Sequence, residues 1–220
     1  MINIAIDGPS GAGKSTLSRK AATALGFLYI DTGALYRTVG LAAVRAGIAQ
    51  TDTQAIAKLP ASITVSLQSA PDGQHVFLNG EDVTARIRTE QVSAYASVVS
   101  AVPQIRAFLL DTQRQLAANN NVVMDGRDIG TVVLPHAQLK IFLTASAEDR
   151  ARRRFEELQA RGEPAAFETV YRDLVERDRR DSERAAAPLV QSPDAVLLDT
   201  TGNSFEESLS LLLKTIKERI

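Results

Sequence analysis

Residues 8–15 read Gly8-Pro9-Ser10-Gly11-Ala12-Gly13-Lys14-Ser15 and follow the apolar run Ile2-Asn3-Ile4-Ala5-Ile6 and Asp7. The pattern is Gly, four residues, then Gly-Lys-Ser, set between a short β-branched strand and a helical segment from Lys14 to about Leu25 that Gly26 stops. Glycine permits backbone angles and close approach that a Cβ would block. Successive N–H groups can therefore turn inward on a polyphosphate, and the start of the following helix adds positive potential. A glycine turn that binds nothing has no use for Lys followed by Ser. Lys14 is expected to reach the β- and γ-phosphates of a nucleoside triphosphate, and the Ser15 hydroxyl to ligate Mg²⁺.

Outward from this loop, short apolar strands alternate with helical patterns. Strands are expected near residues 2–6, 27–30, 121–125, 139–144 and 195–199. Helices are expected over about 34–46, over 89–118 with a break at Pro103, in an arginine-rich stretch opened by Ser146, and over 204–220. Such alternation implies a mostly parallel sheet with helices on both faces and ligands at the carboxyl ends of the strands. Residues 63–83 differ, because Ile63–Leu67 alternates in period two and His75–Leu78 resumes after Ala70-Pro71-Asp72-Gly73. That hairpin chemistry predicts a small antiparallel insertion in an otherwise parallel α/β order.

The 220 residues suit one α/β core with a small insertion. Lys plus Arg (25) nearly balance Asp plus Glu (26), which argues against bulk attraction to nucleic acid or an anionic membrane. No cysteine is present, so disulfides, Cys-ligated metals and thiol chemistry are excluded, and two histidines leave no His-rich metal site. The chain shows neither a signal peptide nor an apolar run long enough to span a bilayer, and a cytoplasmic monomer is expected. Of 19 arginines, ten fall between Arg150 and Arg184. Chemistry must be run by carboxylates, arginines, backbone amides and bound metal.

A phosphate loop alone does not separate a kinase from a GTPase, a motor or a switch. The Asn-Lys-x-Asp signature of GTPases is missing, and three downstream stretches suit a phosphate-bearing acceptor. Asp31-Thr32-Gly33-Ala34-Leu35-Tyr36-Arg37 follows the second strand; Asp31 or Thr32 could equally cap a helix there, whereas Arg37 shares a helical face with Gly33. Asp125-Gly126-Arg127-Asp128-Ile129-Gly130 closes the third strand with Arg between two acids. Arg177, Asp181 and Arg184 fall on one helical face just before Ala185-Ala186-Ala187-Pro188.

Together these stretches resemble the bacterial cytidylate kinase family of nucleoside monophosphate kinases. The likeness runs through IDGPSGAGKST (6–16), DTGALYR (31–37), the hairpin region, MDGRDIGTVV (124–133), RDRRDSERAAAPL (177–189) and LLDTT (197–201). It implies a P-loop NTPase fold with a five-stranded parallel sheet, and a single domain over 1–220. The core would comprise 1–30, 91–145 and 185–220, the monophosphate-binding region with its β insertion about 31–90, and the lid about 146–163. It implies ATP on Gly8, Pro9, Ser10, Gly11, Ala12, Gly13, Lys14, Ser15 and Thr16, with Mg²⁺ accompanying it. The acceptor phosphate would meet Arg37, Arg127 and Arg184. Cytosine would be read by Ser97, Arg106 and Asp128, and the ribose by Asp181 with Arg177 and Tyr36. Thr32 stands where Ser is common, keeping the hydroxyl but adding a methyl. In the lid, Arg150, Arg153 and Arg154 share a rough face and are alternatives for closing over ATP, with Arg154 carried as the nucleotide contact.

The implied reaction is phosphoryl transfer from ATP to CMP or dCMP, with Lys14, Arg127 and Arg184 as the catalytic charges. Two rivals stand beside it. One is a kinase of the same fold acting on UMP, AMP or shikimate; the other is a nucleotide-dependent switch acting on a protein partner.

Overall fold

The computed structural model describes residues 1–70 and 73–220. In chain order the elements are β1 Asn3–Asp7, α1 Lys14–Leu25, β2 Leu28–Asp31, α2 Thr32–Arg45, α3 Thr53–Lys58, β3 Val65–Ala70, β4 Gly73–Leu78 and β5 Glu81–Asp82. There follow α4 Glu90–Val99, α5 Pro103–Asn119, β6 Val122–Gly126, β7 Leu139–Thr144, α6 Ala147–Ala160, α7 Phe167–Glu183, β8 Val196–Asp199 and α8 Phe205–Lys217. The fold is α/β: a five-stranded parallel sheet ordered β2-β6-β1-β7-β8 and a three-stranded sheet ordered β3-β4-β5. All five expected core strands are present, and the period-two stretch forms the separate antiparallel sheet. Pro71 and Asp72, the centre of the expected Asp-Gly turn, lie outside the described residues.

The chain divides into two compact units, residues 28–122 with Met1, and residues 2–27 with 123–220. In the 28–122 unit, α2 starts where the Asp31 side chain accepts a hydrogen bond from the Ala34 amide at 3.0 Å. Gly40 in α2 faces α4 so closely that a Cβ would lie 3.2 Å from the Val92 carbonyl oxygen and the Ala96 nitrogen. Leu35, Val39, Ile56, Val76, Ile105 and Leu109 are buried in one apolar cluster. The expected break at Pro103 is the first residue of α5, where a missing N–H removes no helical bond. Helix α3, which six residues of weak pattern did not announce, packs Ile56 into the same cluster.

In the other unit, β1 pairs with β7 from Ile4↔Leu139 to Asp7↔Phe142, and β7 pairs with β8 from Ile141↔Val196 to Thr144↔Asp199. Ile4, Ala5 and Ile6 are fully buried, as a central parallel strand requires. The arginine-rich stretch opened by Ser146 holds two helices, α6 and α7. Gly162 at φ 70° ends α6, Pro164 follows, and Phe155 and Phe167 then meet edge to face at 6.1 Å across the break. Ser204 and Glu207 form a capping box at the start of α8, whose Leu212 and Ile216 are buried. Among the described residues, no single helix is long and apolar enough to cross a membrane.

Candidate active site

The phosphate loop leaves β1 at Gly8, where the backbone runs so close to β7 that a Cβ would collide with the Leu143 carbonyl oxygen. Gly13, at φ 83°, adopts the left-handed turn that delivers the chain into α1. Lys14, 5% exposed, folds back to donate from Nζ to the Pro9 carbonyl at 2.7 Å. Burial pushes its ammonium well below the ordinary lysine range and the Arg127 charge adds to this, while Asp125, Asp7 and Asp181 oppose it. The Ser15 Oγ donates to Asp125 Oδ2 at 2.9 Å, so a hydroxyl and a carboxylate stand together at the end of β6. The remaining predicted loop residue, Thr16, is exposed on the first turn of α1.

The loop is also held by two helices of the same unit. Arg150, buried on α6, donates to the Ser10 carbonyl at 2.9 Å and to Asp178 Oδ2 at 2.5 Å. Asp178, on α7, accepts the Ser10 amide at 3.2 Å. The Arg150 Nε further donates to Ala145 at 2.8 Å, and Arg153 Nη2 donates to the Thr200 carbonyl at 2.7 Å. Of the three arginines expected in the lid, Arg150 and Arg153 are thus bound into the protein framework. Arg154 is 41% exposed and makes a surface pair with Glu157 at 3.1 Å.

At the end of β6, two acid–arginine pairs sit side by side. Arg127 Nε lies 2.9 Å from Asp181 Oδ2, and Arg184 Nη2 lies 3.5 Å from Asp128 Oδ1. Burial would raise the Asp181 carboxyl, but Arg127, Arg177 and Arg184 outweigh it and hold that group below the ordinary aspartate range. Arg184 ends α7, its Nε donating to Ala187 at 2.6 Å, and the Leu189 amide donates to the Asp181 carbonyl at 2.8 Å. The Ala185–Leu189 segment therefore fastens the end of α7 in place.

Asp7, the last residue of β1, accepts the Ile129 amide on Oδ1 and the Gly130 amide on Oδ2, each at 2.7 Å. These amides open a π-helical turn over Ile129–Val133 immediately after Arg127 and Asp128. Desolvation, with help from the Asp128 charge, raises the Asp7 carboxyl to about 6, against the pull of the two amides and Lys14.

Within the 28–122 unit, the predicted acceptor residues form a second group. The Arg106 guanidinium lies over the Tyr36 ring at 5.7 Å, and its Nη1 donates to the Ser100 carbonyl at 3.2 Å. Ser100 in turn donates from Oγ to the Ser97 carbonyl at 2.9 Å. Tyr36, Arg106 and the Ser97–Ser100 turn are therefore brought together. Thr32 is buried as the first residue of α2, and Arg37 is half-buried one position after Tyr36. Asp31, for which two roles were open, is the helix cap.

Two residues escaped the sequence reading, Asp7 and Asp178, and Asp125 was marked only within the 125–130 stretch, without its place beside Ser15. Asp125 and Asp7 are the acidic last or near-last residues of buried strands, a signal the sequence does carry. Asp178 is hidden in a charge run where every neighbour looks equally solvated.

The chain matches the family model described as cytidylate kinase over residues 4–218. It is 50% identical over 212 residues to a cytidylate kinase of Symbiobacterium thermophilum, covering 96% of this chain and 94% of that one. With a cytidylate kinase of Geobacter sp. strain M21 it shares 48% over 217 residues, covering 99% and 93%. Among solved structures, an uncharacterized protein of Eubacterium ventriosum superposes with TM-score 0.56 at 12% identity over the full length of both chains, a likeness of fold. With the whole phosphate loop, both acid–arginine pairs and the Tyr36–Arg106 pair inside the matched span, the chain belongs to the cytidylate kinase family.

Proposed function

We propose that this protein transfers the γ-phosphoryl group of ATP to the phosphate of CMP or dCMP, giving ADP and CDP or dCDP. The observation that carries the reading is its full-length identity, near half of all positions, with cytidylate kinases. The site chemistry supports it. An oxygen of the acceptor phosphate attacks the γ-phosphorus, and the bond to the leaving ADP oxygen breaks. The acceptor is already ionised, so no general base is needed, and a site lacking His and Cys loses nothing. Alignment and charge neutralisation remain.

Residues 8–16 bind ATP, and Lys14 meets the phosphates. The Ser15 hydroxyl beside the Asp125 carboxylate offers the hard oxygen donors that Mg²⁺ prefers, the remainder coming from ATP phosphates and water. Magnesium, when bound with ATP, offsets negative charge on the phosphate oxygens. Arg37, Arg127 and Arg184 take the acceptor phosphate. Ser97, Arg106 and Asp128 read the base, since a carboxylate accepts from the cytosine amino group but opposes the uracil carbonyl. Asp181 meets the ribose hydroxyls with Arg177 and Tyr36, and Thr32, one helical turn before Tyr36, joins the substrate side. Arg154 closes over ATP from a lid at about 146–163, while residues 31–90 serve the monophosphate. The protein works as a cytoplasmic monomer on free nucleotides, and a near-neutral net charge of -1 gives it no bulk attraction to nucleic acid or an anionic membrane.

Incubation with ATP, Mg²⁺ and CMP, followed by chromatographic separation of nucleotides, should give CDP and ADP in equal amounts. ADP without CDP would instead favour a nucleotide-hydrolysing switch.

A further inference from the structure

We propose that Asp7 is a positioning residue that sets the acceptor side of the site, by holding the segment that carries Arg127 and Asp128 onto the end of β1. The inference rests on the CMP kinase reading above.

Asp7 uses one carboxylate oxygen for each of two consecutive amides, Ile129 and Gly130, 122 and 123 residues away. These are the first amides after Asp128, so the anchor begins one residue from the group assigned to cytosine and two from the group assigned to phosphate. The grip is tight on both sides. A Cβ at Gly130 would stand 3.3 Å from Asp7 Oδ2 and 3.1 Å from the Lys140 Cδ. Lys140 is itself fixed, its Nζ lying 2.8 Å from Asp194 Oδ2, and the Ser192 hydroxyl bonds the same carboxylate. Gly130 is thereby clamped between an acceptor and an immobile side-chain wall.

An uncharged residue would fill the end of β1 without the desolvation that Asp7 suffers. What the anion adds is two charge-assisted hydrogen bonds to one segment. That segment ends in a π-helical turn closed on the Asp128 carbonyl by the Val132 and Val133 amides at 2.9 and 3.2 Å. Freed from Asp7, the turn would re-aim Arg127 and Asp128 together. The phosphate loop, held separately by Arg150 and Asp178, would keep its geometry.

The test is steady-state kinetics of Asp7→Asn and Gly130→Ala with CMP and ATP varied in turn. In Asp7→Asn an amide NH₂ must face one of the two N–H donors. KM for CMP should rise about tenfold or more while KM for ATP stays within about twofold. Gly130→Ala, which forces the same contact apart from its other end, should give the same split, and the double variant should go no further. Should Asp7→Asn melt below the assay temperature, the split in Gly130→Ala decides. Equal rises in both KM values, or no rise in either, would overturn the inference while leaving the kinase reading intact. A wild-type protein that does not phosphorylate CMP would overturn that reading instead.

Discussion

Arg127 and Asp181 lie 2.9 Å apart with side chains only 21% and 8% exposed, and Arg184 and Asp128 form a parallel pair at 3.5 Å in the same unit. Four charges this poorly hydrated hold one another in place. Removing one acid leaves arginines buried without their counter-charge, which is worse than never having buried them. Asp181→Ala should therefore destabilise the fold by about 3 kcal/mol, seen as a lower urea midpoint. Because the Asp181 carboxyl titrates below its ordinary value, its stabilisation is present above the unfolded pKa and is lost as pH falls through the folded one. The deficit of the variant should accordingly shrink on acidification.

Asp7 has the opposite sign. Its carboxyl is raised to about 6, so the folded protein holds a proton that the unfolded chain has already released. The contribution is fully present below the unfolded pKa of about 3.9 and disappears as pH rises through the folded value, an effect of up to about 3 kcal/mol. The stability of the wild type relative to Asp7→Asn should fall between about pH 4 and pH 6 and level off above. A flat difference in urea melts across that range would contradict the burial assigned to Asp7.

Lys14 is buried and its charged form is disfavoured, so the fold gains little from its charge. Lys14→Met should abolish turnover while leaving the melting temperature within a few degrees. Loss of folding would show that the Pro9 contact is structural.

Arg150 and Arg154 should separate by assay. Arg150→Ala removes the bonds to Ala145, Ser10 and Asp178 and should lower the melting temperature by several degrees, as for a lost buried network. Arg154→Ala removes only an exposed pair, worth less than about 1 kcal/mol, and should instead reduce kcat or raise KM for ATP with stability unchanged.

Much of this was readable beforehand where local chemistry is decisive. Glycines at 8 and 13, the strand before them and Pro103 at a helix start each have one good local solution, and the structure adopts it. The small sheet was visible because its period is two. Gly162 and Pro164, read from the same chemistry, separate α6 from α7 within a charge pattern that is helical on both sides. Asp178 and Asp7 were missed. Each accepts from backbone amides 168 and more than 120 residues away, and an amide carries no mark in the sequence. Arg150 and Arg153 looked like Arg154 for the same reason, since carbonyl acceptors at Ser10 and Thr200 are invisible until the chain folds.

Base selection should reside in Asp128. Asp128→Ala should lose much of the preference for CMP over UMP, because it removes the carboxylate proposed to accept from the cytosine amino group. An unchanged ratio of kcat/KM for the two nucleotides would place base reading elsewhere.

The most direct test of the whole account is the rate of ADP release from ATP and Mg²⁺ with CMP, dCMP, UMP, AMP or water as acceptor. CMP and dCMP should drive rapid turnover, UMP and AMP far less, and water almost none. Equal rates with AMP, or turnover that does not depend on any monophosphate, would contradict it.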